Sequence, residues 1–326
     1  MDDAVTLGVD IGGTNTALGF VNRNGKCLAE SSIPTNAHEP AKKLIARLHA
    51  AAEELLRPLK ERHALKGIGI GAPNANYYRG TVEDPPNLKW KGVVNLVALM
   101  RKYFDVPVAV TYDANAAALG EMLYGAATGM KDFIVITLGT GLGSGIVAGG
   151  NLIYGADGFA GELGHTTVDP RGRDCGCGRR GCLETYASAP GICRTVQELL
   201  AERRNESELR RIAPASLTAR MITEAAHRGD PIAREAFEFT GRILGMKLAD
   251  SVAHTSPEAI ILFGGLAHAG ELIFKPTKKH LEEHLLRIFR NKVKLLPSGL
   301  REGNTAVLGA SALIWNELMK NNRSAR

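Results

Sequence analysis

Apolar and polar positions alternate in blocks that divide the chain into strands and helices with few long gaps. Residues 5–21 read as an apolar strand, a turn rich in Gly and Thr, and a second strand, and the same plan recurs at 133–147. Two copies of one strand-turn-strand unit predict two related α/β halves facing each other. In the first half, helical periodicity predicts helices at 38–62 and 93–104, and continuous apolar runs predict strands at 67–71 and 106–111. An Ala-rich helix at 115–123 follows. The second half holds predicted helices at 184–204, 216–228, 231–254 and 268–290, with a strand at 259–263. A last helix, 306–319, is expected to return and pack on the first half, and the polar tail 321–326 is expected to fray. No low-complexity linker marks a boundary. The division falls near the Ala-rich helix, giving one domain of residues 1–115 plus 306–326 and a second of residues 116–305.

Composition narrows the class. With 326 residues, 44% of them hydrophobic and 23% charged, the chain can bury two ordinary cores. No apolar run approaches the roughly 18 residues that span a bilayer, and the N-terminus enters a strand pattern without a leader, so a cytoplasmic protein without a membrane partner is expected. The formal charge of +6 raises the question of nucleic acid. The basic residues are scattered among acids, however, and the densest stretch, 275–294, also carries Glu282 and Glu283 and lacks interleaved aromatics. A solvated helix face is the better reading, and no nucleic-acid partner is expected.

Candidate chemistry begins at the glycine turns. Gly12 and Gly13 let backbone N–H groups approach an anion, Thr14, Asn15 and Thr16 add donors, and Asp10 ends the preceding strand, placed to hold Mg²⁺ through water or to fix the loop. One such loop is also compatible with an ordinary hairpin. The second, with Gly139, Thr140, Gly141, Gly143 and Gly145, is too glycine-rich for hairpin geometry alone, so the pair predicts two phosphate grips on one nucleotide. Neither ends in the Gly-Lys-Ser/Thr of a P-loop. A third pair, Gly264 and Gly265, is either an adenosine-side wall or a tight strand-to-helix connection.

Cys175, Cys177 and Cys182 sit close together, separated by glycines, with His165 upstream. Three thiolates and an imidazole fit a closed tetrahedral structural Zn²⁺ site; the alternatives are a redox pair, which would call for Cys-x-x-Cys, or buried unbonded cysteines. Cys27 and Cys193 have no such company. Asp113, at a strand end before the Ala-rich helix, is either an N-cap or a general base that takes a proton from a substrate hydroxyl. Glu162 and Glu184 flank the knuckle, so a metal would fix two acceptor carboxylates as a polyhydroxylated ligand requires.

Six motifs together resemble the ROK family (repressors, open reading frames and sugar kinases) of the actin-like and hexokinase-like ATPases. They are Asp10-Ile-Gly-Gly-Thr14, Pro86-Asn87-Leu88, Asp113-Ala-Asn-Ala-Ala-Ala-Leu-Gly-Glu121, Leu138-Gly-Thr-Gly141, Gly161-Glu-Leu-Gly-His165 and Cys175-Gly-Cys-Gly-Arg-Arg-Gly-Cys-Leu-Glu184. The resemblance covers almost the whole chain. It implies a two-domain α/β fold of the hexokinase-like (ribonuclease H-like) type with an interdomain cleft. It also implies ATP- and Mg²⁺-dependent phosphorylation of a hexose at its 6-hydroxyl, glucose first, with mannose, fructose or N-acetylmannosamine as alternatives. By the same resemblance Asp113 is the base, Asn87, Glu162, His165 and Glu184 contact sugar hydroxyls, and the protein is a homodimer or homotetramer. Two positions depart from the pattern: Tyr112 stands where the family usually has Asn, and Asn74 where it usually has Gly. Both border the sugar pocket. Family regulators carry a DNA-binding segment ahead of the first glycine turn, and the short stretch before Asp10 leaves no room for one.

Overall fold

Two five-stranded sheets carry the architecture. In the first, β1 (Ala4–Ile11) and β2 (Asn15–Asn22) form the expected antiparallel hairpin. β3 (Cys27–Pro34) adds antiparallel to β2, helix α1 (Ala41–Leu56) follows, and β4 (Ala64–Gly71) pairs parallel with β1. A small sheet of β5 (Ala75–Asn76), β6 (Thr81–Glu83) and β7 (Val93–Asn95) then leads into α2 (Leu96–Met100). β8 (Val108–Thr111) completes the order β3-β2-β1-β4-β8, and α3 (Asp113–Tyr124) leaves its end. The computed structural model describes residues 3–300 and 304–324, and the side chains of the tail 321–326 lie outside that description.

The second sheet repeats the plan. β9 (Phe133–Leu138) and β10 (Leu142–Ala148) form an antiparallel hairpin with β11 (Asn151–Leu152) at the edge. Helices α4 (Glu184–Ala187), α5 (Ala189–Glu202), α6 (Ala219–His227) and α7 (Pro231–Thr255) follow before β12 (Ala259–Phe263) returns parallel to β9. After α8 (Glu271–His284), β13 (Lys294–Pro297) pairs parallel with β12 and closes the order β11-β10-β9-β12-β13. In both sheets the first strand of a hairpin continues into two parallel strands. α9 (Thr305–Ser324) then crosses back onto β1 and β4.

That crossing explains why β1 is apolar almost throughout. α1 covers one face with Leu44, Ile45 and Leu48, in one core with Val5, Leu7 and Val9. α9 covers the other so closely that a methyl group on Gly8 would fall on the Val307 carbonyl, and one on Gly69 on the Ala310 carbonyl. Among the described residues, no helix is long and apolar enough to cross a membrane.

Helical periodicity overshot in four places, each for a local reason. The stretch 38–62 is helical only over Ala41–Leu56, with turns after it. In 93–104 the β-branched pair Val93 and Val94 joins the small sheet, and Asn95 caps the short α2 by accepting the Ala98 N–H at 2.8 Å. The stretch 184–204 breaks at Ser188, whose extended backbone starts a new helix and whose hydroxyl accepts the Gly191 N–H at 3.1 Å. In 268–290, Gly270 at φ +61° separates a short 3-10 turn from α8, which ends at His284. The strands β3, β11 and β13 and the small sheet were not anticipated.

Because α9 rests on bare backbone, Gly69→Ala should lower stability by about 1–3 kcal/mol, the usual cost of overpacking. Chemical denaturation checks this, and an unchanged midpoint would contradict the close contact.

Candidate active site

The two glycine hairpins face each other across a cleft of ≈ 780 Å³. Gly12 and Gly13 line it from one side, Gly139, Thr140, Gly141 and Gly143 from the other, and Gly264 from the turn after β12. Gly264 has φ +97°, and a Cβ there would lie 2.8 Å from the Leu138 carbonyl oxygen, so only glycine lets this turn cross the end of β9. The remaining donors expected of the first turn lie elsewhere. Thr14 and Asn15 are exposed and outside the cleft wall, while Thr16 is buried with its hydroxyl 2.9 Å from that of Thr35. Thr35 in turn donates to the Gly12 carbonyl at 2.7 Å, so Thr16 braces the turn from behind. Gly265 opens the 3-10 turn and does not line the cleft.

Asp113 lies on the cleft wall at the start of α3. The cap position belongs to Tyr112, and Asp113 is the first helical residue, its Oδ1 accepting only the adjacent Ala114 N–H at 2.7 Å among the hydrogen bonds of the described residues. A capping carboxylate would instead reach the second or third N–H of the helix. Asp113 is open to the cleft, but the protein packed around the cleft desolvates its carboxyl and pushes it above its ordinary range. Asp10, at the end of β1, is pushed up to about 7 by burial and then by the charge of Asp113. Two carboxylates that oppose each other's ionisation in a glycine-lined cleft are a donor set suited to a hard cation such as Mg²⁺.

Also on the cleft wall, Asn87 packs against Gly13, where a Cβ would lie 3.1 Å from its own Cβ. Tyr112 is pushed above the ordinary phenol range by burial and then by Asp113, Glu162 and Glu184, which marks three acids converging around it. Glu162 is raised by burial, opposed by His165, and raised further by Asp113 and Glu184. Glu184 accepts the Leu142 N–H at 2.9 Å, and a Cβ on Gly141 would come within 2.6 Å of the same carboxylate oxygen. The second hairpin is therefore glycine partly to admit Glu184. Asn74 has φ +49°, a conformation Asn tolerates better than most residues, and its amide donates to the Glu83 and Asp84 carbonyls at 3.1 Å each. It meets the backbone demand of a glycine position and directs its amide at the strand end.

The knuckle brings its four candidate ligands together. Their ligand atoms lie within 4.8 Å of one another, with Cys175 Sγ 3.7 Å from His165 Nδ1 and Cys177 Sγ 3.7 Å from Cys182 Sγ. Tetrahedral Zn²⁺, with bonds of about 2.3 Å to sulfur and about 2.1 Å to nitrogen, sets edges of about 3.5–3.8 Å, so the cluster fits the ion. Burial, then the neighbouring thiols, push Cys182 up to about 12, a penalty that a bound dication would reverse. The other ring nitrogen of His165, Nε2, lies 3.9 Å from Glu162 Oε2 and faces the cleft side. Backbone bonds strap the loop to the knuckle, Leu183 N to Thr166 O at 3.0 Å and Val168 N to Gly181 O at 2.7 Å.

Two residues escaped the sequence reading. Asp84 lines the cleft at φ +41° and accepts the Gly92 N–H at 2.7 Å; its place just before Pro85-Pro86-Asn87 was the available signal. Arg173 is buried, donates to the Thr185 and Gly191 carbonyls at 2.7 and 3.1 Å, pairs with Glu198, and lies 4.5 Å over the Tyr186 ring. It fixes the α4–α5 junction that carries Glu184, and only the fold brings its partners together.

The ROK family model matches residues 6–317. A glucokinase from Halalkalibacterium halodurans is 37% identical over 290 residues, 88% of each chain. A crystal structure of a ROK family glucokinase from Streptomyces griseus in complex with glucose and AMPPNP superposes with a TM-score of 0.79 at 36% identity, covering 95% of this chain and 98% of that one. A xylose repressor from Caldicellulosiruptor bescii is 29% identical, covering 96% of this chain and 78% of the repressor. With the family pattern running through nearly every element of both sheets, this chain belongs to the ROK family and has its two-domain hexokinase-like fold.

Proposed function

We propose that this protein is an ATP-dependent hexokinase, a glucokinase, that transfers the γ-phosphate of ATP to the 6-hydroxyl of glucose. The observation that carries the reading is Asp113, a carboxylate with few hydrogen bonds that is open to the cleft between the two glycine hairpins. The similarity to glucokinases, one of them bound to glucose and AMPPNP, supports the choice of substrates.

In this reading the triphosphate lies along Gly12, Gly13 and the 139–143 turn, with adenosine toward Gly264. Backbone N–H groups meet its charge there, where a side chain would exclude it. Asp10 would hold Mg²⁺, which when bound neutralises charge on the β- and γ-phosphates. Asn87, Glu162, Glu184 and His165 Nε2 hold the sugar hydroxyls, and Tyr112 forms part of the same wall. Asp113 takes the proton of the 6-hydroxyl as that oxygen attacks the γ-phosphorus. The bond from γ-phosphorus to the bridging oxygen breaks, ADP leaves, and Asp113 later releases the proton to solvent. His165, Cys175, Cys177 and Cys182 would hold a structural Zn²⁺, which would cross-link the loop carrying Glu162 to the turn carrying Glu184. A cytoplasmic location, where ATP is at hand as donor, and assembly as a homodimer or homotetramer belong to the same reading. The domain division at residue 115 belongs to the same reading.

A second reading, a sugar-binding regulator without catalysis, draws on the repressor match. A coupled assay for ADP with glucose, mannose, N-acetylmannosamine, fructose and allose separates the two. Glucose should give the highest kcat/KM; no stimulation by any sugar would overturn the kinase, and preference for another would overturn glucose.

Purified without chelator, the protein should contain about one Zn²⁺ per chain. Cys177→Ser should lose it and weaken glucose binding more than ATP binding, since both hairpins lie outside the knuckle. Elemental analysis with separate titrations checks this. A fully active zinc-free wild type, or equal loss of both affinities, would contradict it.

A further inference from the structure

A second cavity, ≈ 830 Å³, opens on the other side of the small sheet and shares none of its lining residues with the cleft. It is bounded by the turn between β5 and β6, by α2, by the outer edge of β8 and by α9. Its size suits one small metabolite.

The lining is chemically selective. Arg101 and Lys102 project from the end of α2, and neither side chain has an acidic partner among the described residues. Arg79 adds a third cation, paired with both carboxylate oxygens of Glu83 at 3.3 Å. Nearby is a group that reads hydroxyls, the amide of Asn95, whose oxygen is committed to the Ala98 N–H and whose NH₂ remains a donor; Glu317 on the same wall already pairs with Lys320 at 3.4 Å and takes the Tyr77 hydroxyl, leaving its second oxygen as an acceptor. The Tyr78 ring, 58% exposed, offers an apolar face of the kind that sugars stack on. Unpaired cations beside hydroxyl readers and an exposed ring select a phosphorylated, hydroxyl-bearing molecule over a bare anion.

The wall of this cavity is also tied to the catalytic half opposite. The 76–80 turn closes with Gly80 N donating to Asn76 O at 3.0 Å. Asn76 is fully buried, and its amide reaches the Asp157 carbonyl at 2.7 Å on the loop that leads to Glu162. Gly158 has φ +91°, and a Cβ there would lie 2.8 Å from the Asn76 oxygen, so the loop is shaped around this contact. Tyr77 lines the cavity and stacks on Tyr154 of the same loop, with centroids 4.0 Å apart and planes 7° from parallel.

We propose that this cavity is a regulatory site for a sugar phosphate, and that the turn 76–80 couples its occupancy to the loop holding Glu162. Binding between Arg79, Arg101 and Lys102 pulls on the turn, and Asn76 and Tyr77 transmit the shift to glucose affinity. The existence of the site is independent of the kinase reading; the direction of coupling to glucose rests on it.

The test is calorimetric titration of glucose 6-phosphate and inorganic phosphate into enzyme whose cleft is saturated with glucose and AMPPNP. Glucose 6-phosphate should still bind, and more tightly than phosphate. Arg101→Glu with Lys102→Glu, both exposed and outside the catalytic site, should weaken that binding at least about tenfold while basal kcat and KM stay within about twofold. Asn76→Ala should retain the binding but abolish the effector's influence on glucose KM. Absence of binding with the cleft blocked, or binding indifferent to the charge reversal, overturns the site. Phosphate binding as tightly as glucose 6-phosphate overturns the ligand class, and a persisting KM effect in Asn76→Ala overturns the coupling route. Basal turnover without effector, measured on the same samples, reports on the kinase reading separately.

Discussion

The cleft depends on one packing constraint: α3 has to fit between a sheet and a helix that both approach its backbone. On one side, a Cβ on Gly145 of β10 would lie 2.6 Å from the Ala118 methyl and 2.7 Å from the Ala114 carbonyl oxygen. On the other, Gly309 of α9 comes so near that its Cβ would lie 2.6 Å from the Ala116 carbonyl oxygen. Small residues on three elements let the backbones meet, and dense packing of this kind has few alternative arrangements. The far end of the helix is pinned by Glu121, which is fully buried and accepts the Ala126 and Gly299 N–H groups at 2.7 and 3.1 Å. The run Ala114–Leu119 is thus a spacer that sets Asp113 at the cleft wall.

From that fixed point the rest of the site is built by cross-links of different kinds. The glycine hairpins contribute backbone donors, and the Glu184 carboxylate bonds one of them through Leu142 N–H. Arg173 holds the helix junction after Glu184, and His165 lies with Nδ1 against the Cys175 thiol and Nε2 toward Glu162 on the cleft wall. Asp113 and Glu184 raise the proton affinity of Glu162, and the three acids together raise that of Tyr112. That is a cost in the empty cleft, and cations and sugar hydroxyls offset it on binding.

Much of this was legible in the sequence, because its strongest signals are local. The hairpins announce themselves by glycine clusters between apolar strands, and the knuckle by thiol spacing that only a metal explains. What escaped depends on long-range geometry. Thr16 looked like a phosphate donor, yet strand alternation turns it inward beside Thr35 while Asn15 faces out. Arg173 looks like any basic residue until the fold surrounds it with Thr185, Gly191 and Glu198. β3 and β13 are edge strands of mixed polarity, so periodicity gave them no voice. Asn74 and Asp84 take left-handed backbone conformations that residue identity alone does not reveal.

The central claim is that its place on the cleft wall, desolvated by the surrounding protein yet open to a ligand, turns Asp113 from a helix-start carboxylate into a base. As pH falls through its raised pKa, the carboxylate becomes protonated and can no longer accept the hydroxyl proton, so activity is lost on the acid side. The most direct measurement is the pH dependence of kcat/KM for glucose in the wild type and in Asp113→Asn. The account predicts an acid limb above the ordinary aspartate value of 3.8. In the variant, turnover should fall by a factor on the order of 10² to 10⁴ and that limb should vanish, with glucose binding retained. Near wild-type turnover in the variant, or an acid limb that persists unchanged, would contradict it.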